Sequence, residues 1–329
     1  MDWWRVLARI ERAVSHVPAI RKGALAGSLP RRLGGNVRMM AARRPELPLV
    51  MVHGVPIADW ANLTLAYPEY DLLFARRSVD VRDLELAAPL DAVMLGPFVS
   101  GSFRAMVKER NLPTFTILPS PIPWLPLPNG GRAAGFILDS RGAWISARGR
   151  CEIDAFLDAV ELVKLPGMDV AADFWLTRLA LPIPDDPVTL IIPPFPSLTN
   201  DVERSWARLR EIAAGLNAPV RELSPDLADW STEQIFPRFE AELARGVGNV
   251  VTNSAPQGFH ALLRGVEVHA VDVSTPYTMR GLTYDHGLNL RRGQSCSLND
   301  LMSAVLTLSR FVEDEVGLVD PFDRAHWNG

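Results

Sequence analysis

Cysteine is nearly absent from this chain. Only Cys151 and Cys296 occur among 329 residues, far apart and without metal-ligand spacing. That excludes a disulfide framework, and with no export signal both thiols are expected to be reduced in the cytoplasm. The six histidines show no metal spacing either, and no P-loop is present. Long apolar runs are lacking too. No stretch of about 18 uncharged apolar residues exists, so no spanning helix is expected. The N-terminus, Met1-Asp2-Trp3-Trp4-Arg5, meets charge before an apolar core of signal-peptide length can form, so no leader is expected.

What is present is a globular composition, 48% hydrophobic and 22% charged. The length exceeds one typical core and suggests two domains. The net charge of −4 is unevenly spread. Residues 1–45 carry ten Arg or Lys against Asp2 and Glu11, hence +8, which leaves −12 for the remainder. A basic arm on an acidic body suggests an anionic partner. Trp3, Leu7, Ile10, Val14 and Val17 fall at helical spacing with Arg5, Arg9 and Arg12 between them. Such a helix either lies on an anionic membrane surface or docks on its own domain with its arginines solvated. Nucleic acid is not expected as a partner, because the aromatics here do not interleave as a stacking platform.

Along the chain, strand and helix patterns alternate. Leu47 to Val52 reads as a buried strand ending at His53-Gly54, with Leu72 to Ala75 and Ala92 to Leu95 as further strands. A helix is expected from Ser102 to Arg110 and a strand over Thr114 to Leu118. The prolines at 119, 121, 123, 126 and 128 predict a loop, because proline cannot donate to a strand ladder. Ala134 to Leu138 predicts a strand turning at Asp139-Ser140-Arg141-Gly142 into a return over Ala143 to Ser146. Cys151 to Leu165 is helical in pattern. Leu181 to Pro187 is broken by prolines and is the expected domain boundary. A second cycle follows: strand Val188 to Ile192, helix Asp201 to Leu216, strand Asn249 to Thr252, helix Gln257 to Arg264 and strand Val266 to Val273. A long terminal helix is expected from Leu298 to Val312.

This order predicts an α/β protein of two Rossmann-like lobes with a cleft between them, the GT-B arrangement of glycosyltransferases. The expected organisation is a basic arm over 1–45, an N-terminal α/β lobe over 46–181, a C-terminal α/β lobe over 188–310 and a tail over 311–329.

The densest signal for chemistry is Asn253-Ser254-Ala255-Pro256-Gln257-Gly258-Phe259-His260-Ala261-Leu262-Leu263-Arg264-Gly265. A strand ends in a polar turn and a helix begins. Uncapped amides at a helix start carry partial positive charge and can hold phosphate. Ser254 can cap the helix or donate to a phosphate oxygen, and Gly258 admits a close approach of backbone or ligand. Ordinary capping and tight strand–helix packing would also account for the pattern.

The segment resembles the nucleotide-binding motif of the Kps-type capsule polysaccharide biosynthesis proteins, the retaining β-Kdo transferases. That motif runs Thr-Ser-x-x-Gly-Phe-Glu-Ala-Leu-Leu-Arg-Gly-x-x-Val. Ser254, Gly258, Phe259, Ala261, Leu262, Leu263, Arg264, Gly265 and Val268 match it in register. The family's Pro-Phe-Tyr-x-x-x-Gly-Leu-Thr-x-Asp element is similar to Pro276-Tyr277-Thr278-Met279-Arg280-Gly281-Leu282-Thr283-Tyr284-Asp285, and Arg291-Arg292 recurs as well. The stretch Phe136 to Trp144 resembles a further family element, Val-Leu-Asp-Asp-x-Gly-Ile-Tyr. The resemblance covers about residues 90–310.

The resemblance implies a CMP-activated Kdo-like donor, a lipid-linked or saccharide acceptor, no separate cofactor, and a cytoplasmic protein at or near the inner face of the membrane. It assigns nucleotide contacts to Ser254, Gln257, Gly258, Arg264, Tyr277 and Ser224. Ser224 stands where the family has a His-Pro motif; serine donates a hydrogen bond but brings no charge. The family's Glu-Asp-Gly-Phe element, whose acids serve the acceptor site, falls on Leu118 to Trp124, where no carboxylate remains. The family's glutamate after Gly-Phe is His260 here. Glycosyl transfer needs a base near the acceptor hydroxyl. Asp139 and His53 are the foremost candidates, with Asp59 and Glu69 as further acids and His286 as a further cleft residue. Asp139 equally suits a turn, and His53 equally suits packing. The departures leave open a second function, an inactive homologue that binds sugar nucleotide or a partner in polysaccharide assembly.

Overall fold

Apolar, β-branched runs separated by amphipathic segments build two sheets with helical crossovers. The computed structural model describes residues 37–41, 43–75, 90–96, 99, 101–142, 151–159, 166–182, 184–193, 202–223, 236–253, 255–270, 297–313 and 317–327. Among these, the strands are β1 (Val37–Met39), β2 (Leu49–His53), β3 (Asp71–Ala75), β4 (Ala92–Leu95), β5 (Thr114–Pro126), β6 (Arg132–Asp139), β7 (Val188–Ile191), β8 (Val220–Glu222), β9 (Val247–Thr252), β10 (Glu267–Ala270), β11 (Ser309–Glu313) and β12 (Gly317–Val319). The helices are α1 (Trp60–Ala66), α2 (Gly101–Glu109), α3 (Glu152–Asp158), α4 (Met168–Leu179), α5 (Val202–Ala214), α6 (Phe236–Leu243), α7 (Ala255–Leu263) and α8 (Leu298–Leu308).

The chain divides into two compact units. The first holds residues 1–118, 136–140 and 311–319; the second holds 119–135, 141–310 and 320–329. In the first, the sheet order is β1-β3-β2-β4-β5-β6-β11-β12. The central pairs β3–β2, β2–β4 and β4–β5 are parallel, while β1 joins β3 and β12 joins β11 antiparallel. Alternate residues serve opposite faces. Leu49, Met51, Leu73, Val93 and Leu95 pack with Phe103 and Val107 of α2. The intervening residues face the other side, where Trp60 of α1 stacks on Phe74 with ring centroids 5.0 Å apart. Both faces are covered, which is why β2, β3 and β4 read as continuous apolar runs.

In the second unit, β10-β9-β7-β8 form an all-parallel sheet. Ile191 and Val251 pack under Leu209 and Ala213 of α5. The strand–helix alternation and the parallel pairing expected from the sequence are present in each unit.

Three sequence expectations are corrected. The proline-dense stretch is not a loop through Pro126: β5 runs through Pro119, Pro121, Pro123 and Pro126. Pairing with β4 ends at Thr116, so all four prolines lie beyond the part of β5 that must donate to β4. Second, α8 ends at Leu308, and Ser309 to Glu313 is a strand. Phe311 and Val312 bury themselves against β12 instead of continuing the helix. Third, α4, α6, β1, β8 and β12 have no counterpart in the sequence reading. The hairpin return over 143–146, the helix beyond Ala159 and the strand beyond Ala270 lie outside the described residues.

Candidate functional site

Both sheets contain a place where strand order reverses. In the first unit the chain passes from β2 to β3 on one side, then to β4 on the other. In the second it passes from β7 to β8, then to β9 on the opposite side. Loops leaving the carboxyl ends at such a point diverge, and open α/β sheets bind ligands in the resulting crevice. The residues at these ends are His53, Gly54 and Gly96 in the first unit, and Ile192, Thr252 and Asn253 in the second.

His53 closes β2 and is 6% exposed. Its Nδ1 lies 3.0 Å from the Ala75 carbonyl oxygen, which can only accept, so Nδ1 carries the proton. In that tautomer Nε2 is the acceptor. Phe103 packs on the imidazole with centroids 4.5 Å apart and fixes its plane. The adjoining Gly54 and Gly96 run close together: a Cβ on Gly96 would stand 2.1 Å from Gly54 O. Glycine is therefore required at 96 for the β2 and β4 loops to pass.

Asp139 is 1% exposed at the end of β6. Two strands, β4 and β5, separate β6 from β2. Three interstrand steps put Asp139 and His53 about 14 Å apart across the sheet, too far to share a proton. Asp59 lies in the helical turn Ile57–Asp59 shortly after β2, on the same side of the sheet as His53. Glu69 lies between α1 and β3, at the opposite, amino edge.

In the second unit, β9 delivers the chain into α7. The opening turn contributes the amides of Ala255 and Gln257, since Pro256 has none. Gln257 and Gly258 are buried there. Asn253, at the turn, is 2% exposed, and its Oδ1 is buried without a hydrogen-bond partner. Ser254, Ser224, Tyr277, Asp285 and His286 lie outside the described residues.

Arg264 sits at the other end of α7, about 13 Å from that turn. The helix stops in a Schellman arrangement: Val266 N donates to Ala261 O, Gly265 N donates to Leu262 O, and Gly265 takes φ +80°. Arg264 Nη2 lies 3.0 Å from Glu240 Oε1 on α6. Its charge is thus answered by a carboxylate, while its Nε is buried without a partner. His260, one turn back on α7, is 2% exposed. Its Nδ1 lies 3.3 Å from Pro121 O and its Nε2 lies 3.4 Å from Glu240 Oε1. Pro121 lies in the part of β5 beyond its pairing with β4.

Electrostatics order this cluster. Burial pushes the His260 pKa down, opposed by Glu240 and reinforced by Arg264. Burial pushes the Glu240 carboxyl up, but His260, Arg264 and Arg132 together hold it below the usual carboxylate range. Burial also lowers the Arg264 pKa. Glu240 was not anticipated from the sequence. The available signal was the spacing of Phe239 and Leu243, which bury one face of α6 and turn residue 240 toward α7. Within the stretch Leu118 to Trp124, Ser120 is fully buried, with its Oγ 2.7 Å from Ser309 Oγ and accepting from Ile122 N.

Among the described residues, no three His, Cys, Asp or Glu side chains cluster as metal ligands, and no helix is long and apolar enough to cross a membrane. No family model matches the sequence, and no curated protein matches it. Solved structures do. A Thermosulfurimonas dismutans KpsC structure, a β-Kdo 2,7 transferase, matches with a TM-score of 0.57 at 14% identity, over 83% of this chain and 95% of the other. A β-Kdo 2,4 transferase of KpsC from the same organism matches with a TM-score of 0.56 at 15% identity, over 87% and 99%. The chain has the KpsC fold. The KpsC likeness of fold and the resemblance read from residues 254–285 are separate observations, one of backbone and one of side chains. At these identities the KpsC fold is shared while most side chains differ.

Proposed function

We propose that this protein is a glycosyltransferase-like component of capsule or surface polysaccharide biosynthesis. It transfers a Kdo-like sugar from a CMP donor to a lipid-linked or saccharide acceptor. The observation that carries the proposal is the KpsC fold, which extends over 95% and 99% of the two β-Kdo transferase chains. The proposed arrangement is of GT-B type, with residues 46–181 on the acceptor side and 188–310 on the nucleotide-sugar side.

In the reaction, the bond from the anomeric carbon to the CMP phosphate oxygen breaks. The acceptor oxygen bonds to that carbon and its proton passes to a base. The amides of Ala255 and Gln257, with the Ser254 hydroxyl, would hold the phosphate and stabilise charge on the departing CMP. Ser224 and Tyr277 would add polar contacts to the nucleotide. Arg264, paired with Glu240, would act by anchoring α7. His53 and Asp139 are alternative bases, since their separation lets only one stand at the acceptor hydroxyl. His53 has the apt chemistry: its Nδ1 proton is committed to Ala75 O, which leaves Nε2 to accept. The basic arm over 1–45 would hold the protein at the anionic inner face of the membrane, without nucleic acid as a partner.

A second reading is a catalytically inactive homologue that binds the nucleotide or an assembly partner. The buried Ser120–Ser309 pair favours it, because hydroxyls packed on each other offer no base.

Calorimetric titration of CMP, followed by a Kdo-transfer assay on wild type, His53→Gln and Asp139→Ala, separates these readings. Turnover lost in either variant while CMP still binds supports catalysis and identifies the base. Binding without turnover in wild type supports the inactive homologue. Absence of CMP binding overturns both.

A further inference from the structure

Asn253 occupies an odd position for a side chain that is only structural. It stands between the carboxyl end of β9 and the opening turn of α7, beside the reversal between β7 and β9. Its side chain is 98% removed from solvent (2% exposed), and its Oδ1 accepts no hydrogen bond. A buried amide oxygen left unpaired is costly, and native proteins keep few of them. The neighbouring polar residues of the turn do not repeat the pattern: Thr252 and Gln257 are equally buried, but each makes contacts within the protein.

We propose that Asn253 is a specificity residue that reads a ribose hydroxyl of the nucleotide. The inference rests on the CMP site proposed above and deepens it. The chemistry narrows the choice of partner. Oδ1 only accepts. A phosphate dianion also only accepts, so the group at the opening amides of α7 cannot satisfy Asn253. The donors nearest a nucleoside phosphate are the ribose hydroxyls, one sugar away. In the proposed site the phosphate takes the Ala255 and Gln257 amides, and Asn253 Oδ1 takes a ribose hydroxyl. A site that hydrogen-bonds a hydroxyl rejects the analogue lacking it, because its own buried atom is then left unpaired again. Asn253 would therefore separate ribonucleotides from deoxyribonucleotides.

The assignment of oxygen and nitrogen in the amide follows from its surroundings. Turned over, the amide would set Nδ2 where Oδ1 stands, and Nδ2 would donate to the same ribose hydroxyl, whose oxygen can accept.

The test is calorimetry with CMP, 2′-deoxy-CMP and 3′-deoxy-CMP on wild type and Asn253→Ala, with a melting curve for each protein. Wild type should bind CMP at least about tenfold more tightly than one of the deoxy analogues. Asn253→Ala should bind all three with equal, weaker affinity. Its melting temperature without ligand should equal or exceed that of wild type, because an unpaired buried acceptor has been removed. Equal affinity of wild type for the three nucleotides overturns the proposal while the CMP site stands. A variant that melts lower and keeps the preference for ribose also overturns it. If CMP does not bind wild type at all, the function proposed above fails, and this inference with it.

Discussion

Single side chains here bind distant segments through charge. Asp71, 1% exposed in its side chain, accepts from Arg43, from Arg44 Nε at 3.2 Å and from the Arg44 amide at 2.6 Å. Two of the ten basic residues of the N-terminal arm are thus held by the first sheet and are not available to a membrane. Asp71→Ala removes three acceptor contacts from partly buried donors. It should destabilise the protein by about 2–3 kcal/mol, measured by urea denaturation. The Glu240 cluster gives a pH dependence whose sign can be worked out. His260 and His269 both have depressed folded-state pKa values, chiefly through burial. Below the ordinary histidine pKa of about 6.5 the unfolded chain takes up protons that the folded chain refuses, so stability falls as pH falls. Glu240, also depressed, acts in the same direction at lower pH: its contribution is present above the ordinary carboxylate pKa and is lost as pH drops through its folded value. Melting temperature should therefore decrease steadily from pH 7 toward pH 4. His260→Gln should flatten the upper part of that slope, and an unchanged slope would remove His260 as its origin.

Elements show where propensity yields to pairing. β5 tolerates four prolines because pairing with β4 stops at Thr116 and all four lie beyond it. Pro121→Ala and Pro123→Ala should each change stability by less than about 1 kcal/mol, whereas Phe115→Pro, within the stretch paired with β4, should cost about 3 kcal/mol or more. Equal costs in urea denaturation would refute this explanation. The C-terminal segment is fastened rather than appended. Trp175 Nε1 of α4 donates to Pro321 O at 2.8 Å, Trp327 Nε1 reaches the same oxygen at 3.2 Å, and Trp327 stacks on Phe174. Trp175→Phe should cost about 1–2 kcal/mol, read from the denaturation midpoint, because a buried carbonyl loses its better donor.

At the scale of the whole molecule, the proposed nucleotide site has a thermal signature. A ligand that binds only the folded state stabilises it by mass action, about 2.7 kcal/mol at a concentration one hundred times its Kd. CMP at that excess should raise the melting temperature by several degrees. A nucleoside without phosphate should raise it less if the α7 amides hold the phosphate.

The periodic apolar runs were legible because they are local. β2, β4, β7 and β9, with α2, α5 and α7, were all anticipated within a few residues, since alternation and helical spacing are properties of adjacent side chains. Segments whose identity depends on a remote partner were not. β11 reads as a continuation of α8 until β12 supplies an edge to pair with, and the prolines of β5 read as a loop until β4 is seen to end. The site divides in the same way. The polar turn before α7 and the histidine at the end of β2 are visible in the residues themselves. The sequence by itself determined an α/β chain with a candidate phosphate turn at residues 253–258. Only the tertiary structure decided that Arg264 answers Glu240, that Asp139 and His53 stand three strands apart, and that Asn253 Oδ1 is left without a donor. Each of these depends on distances between segments remote in the chain, and periodicity carries no information about them.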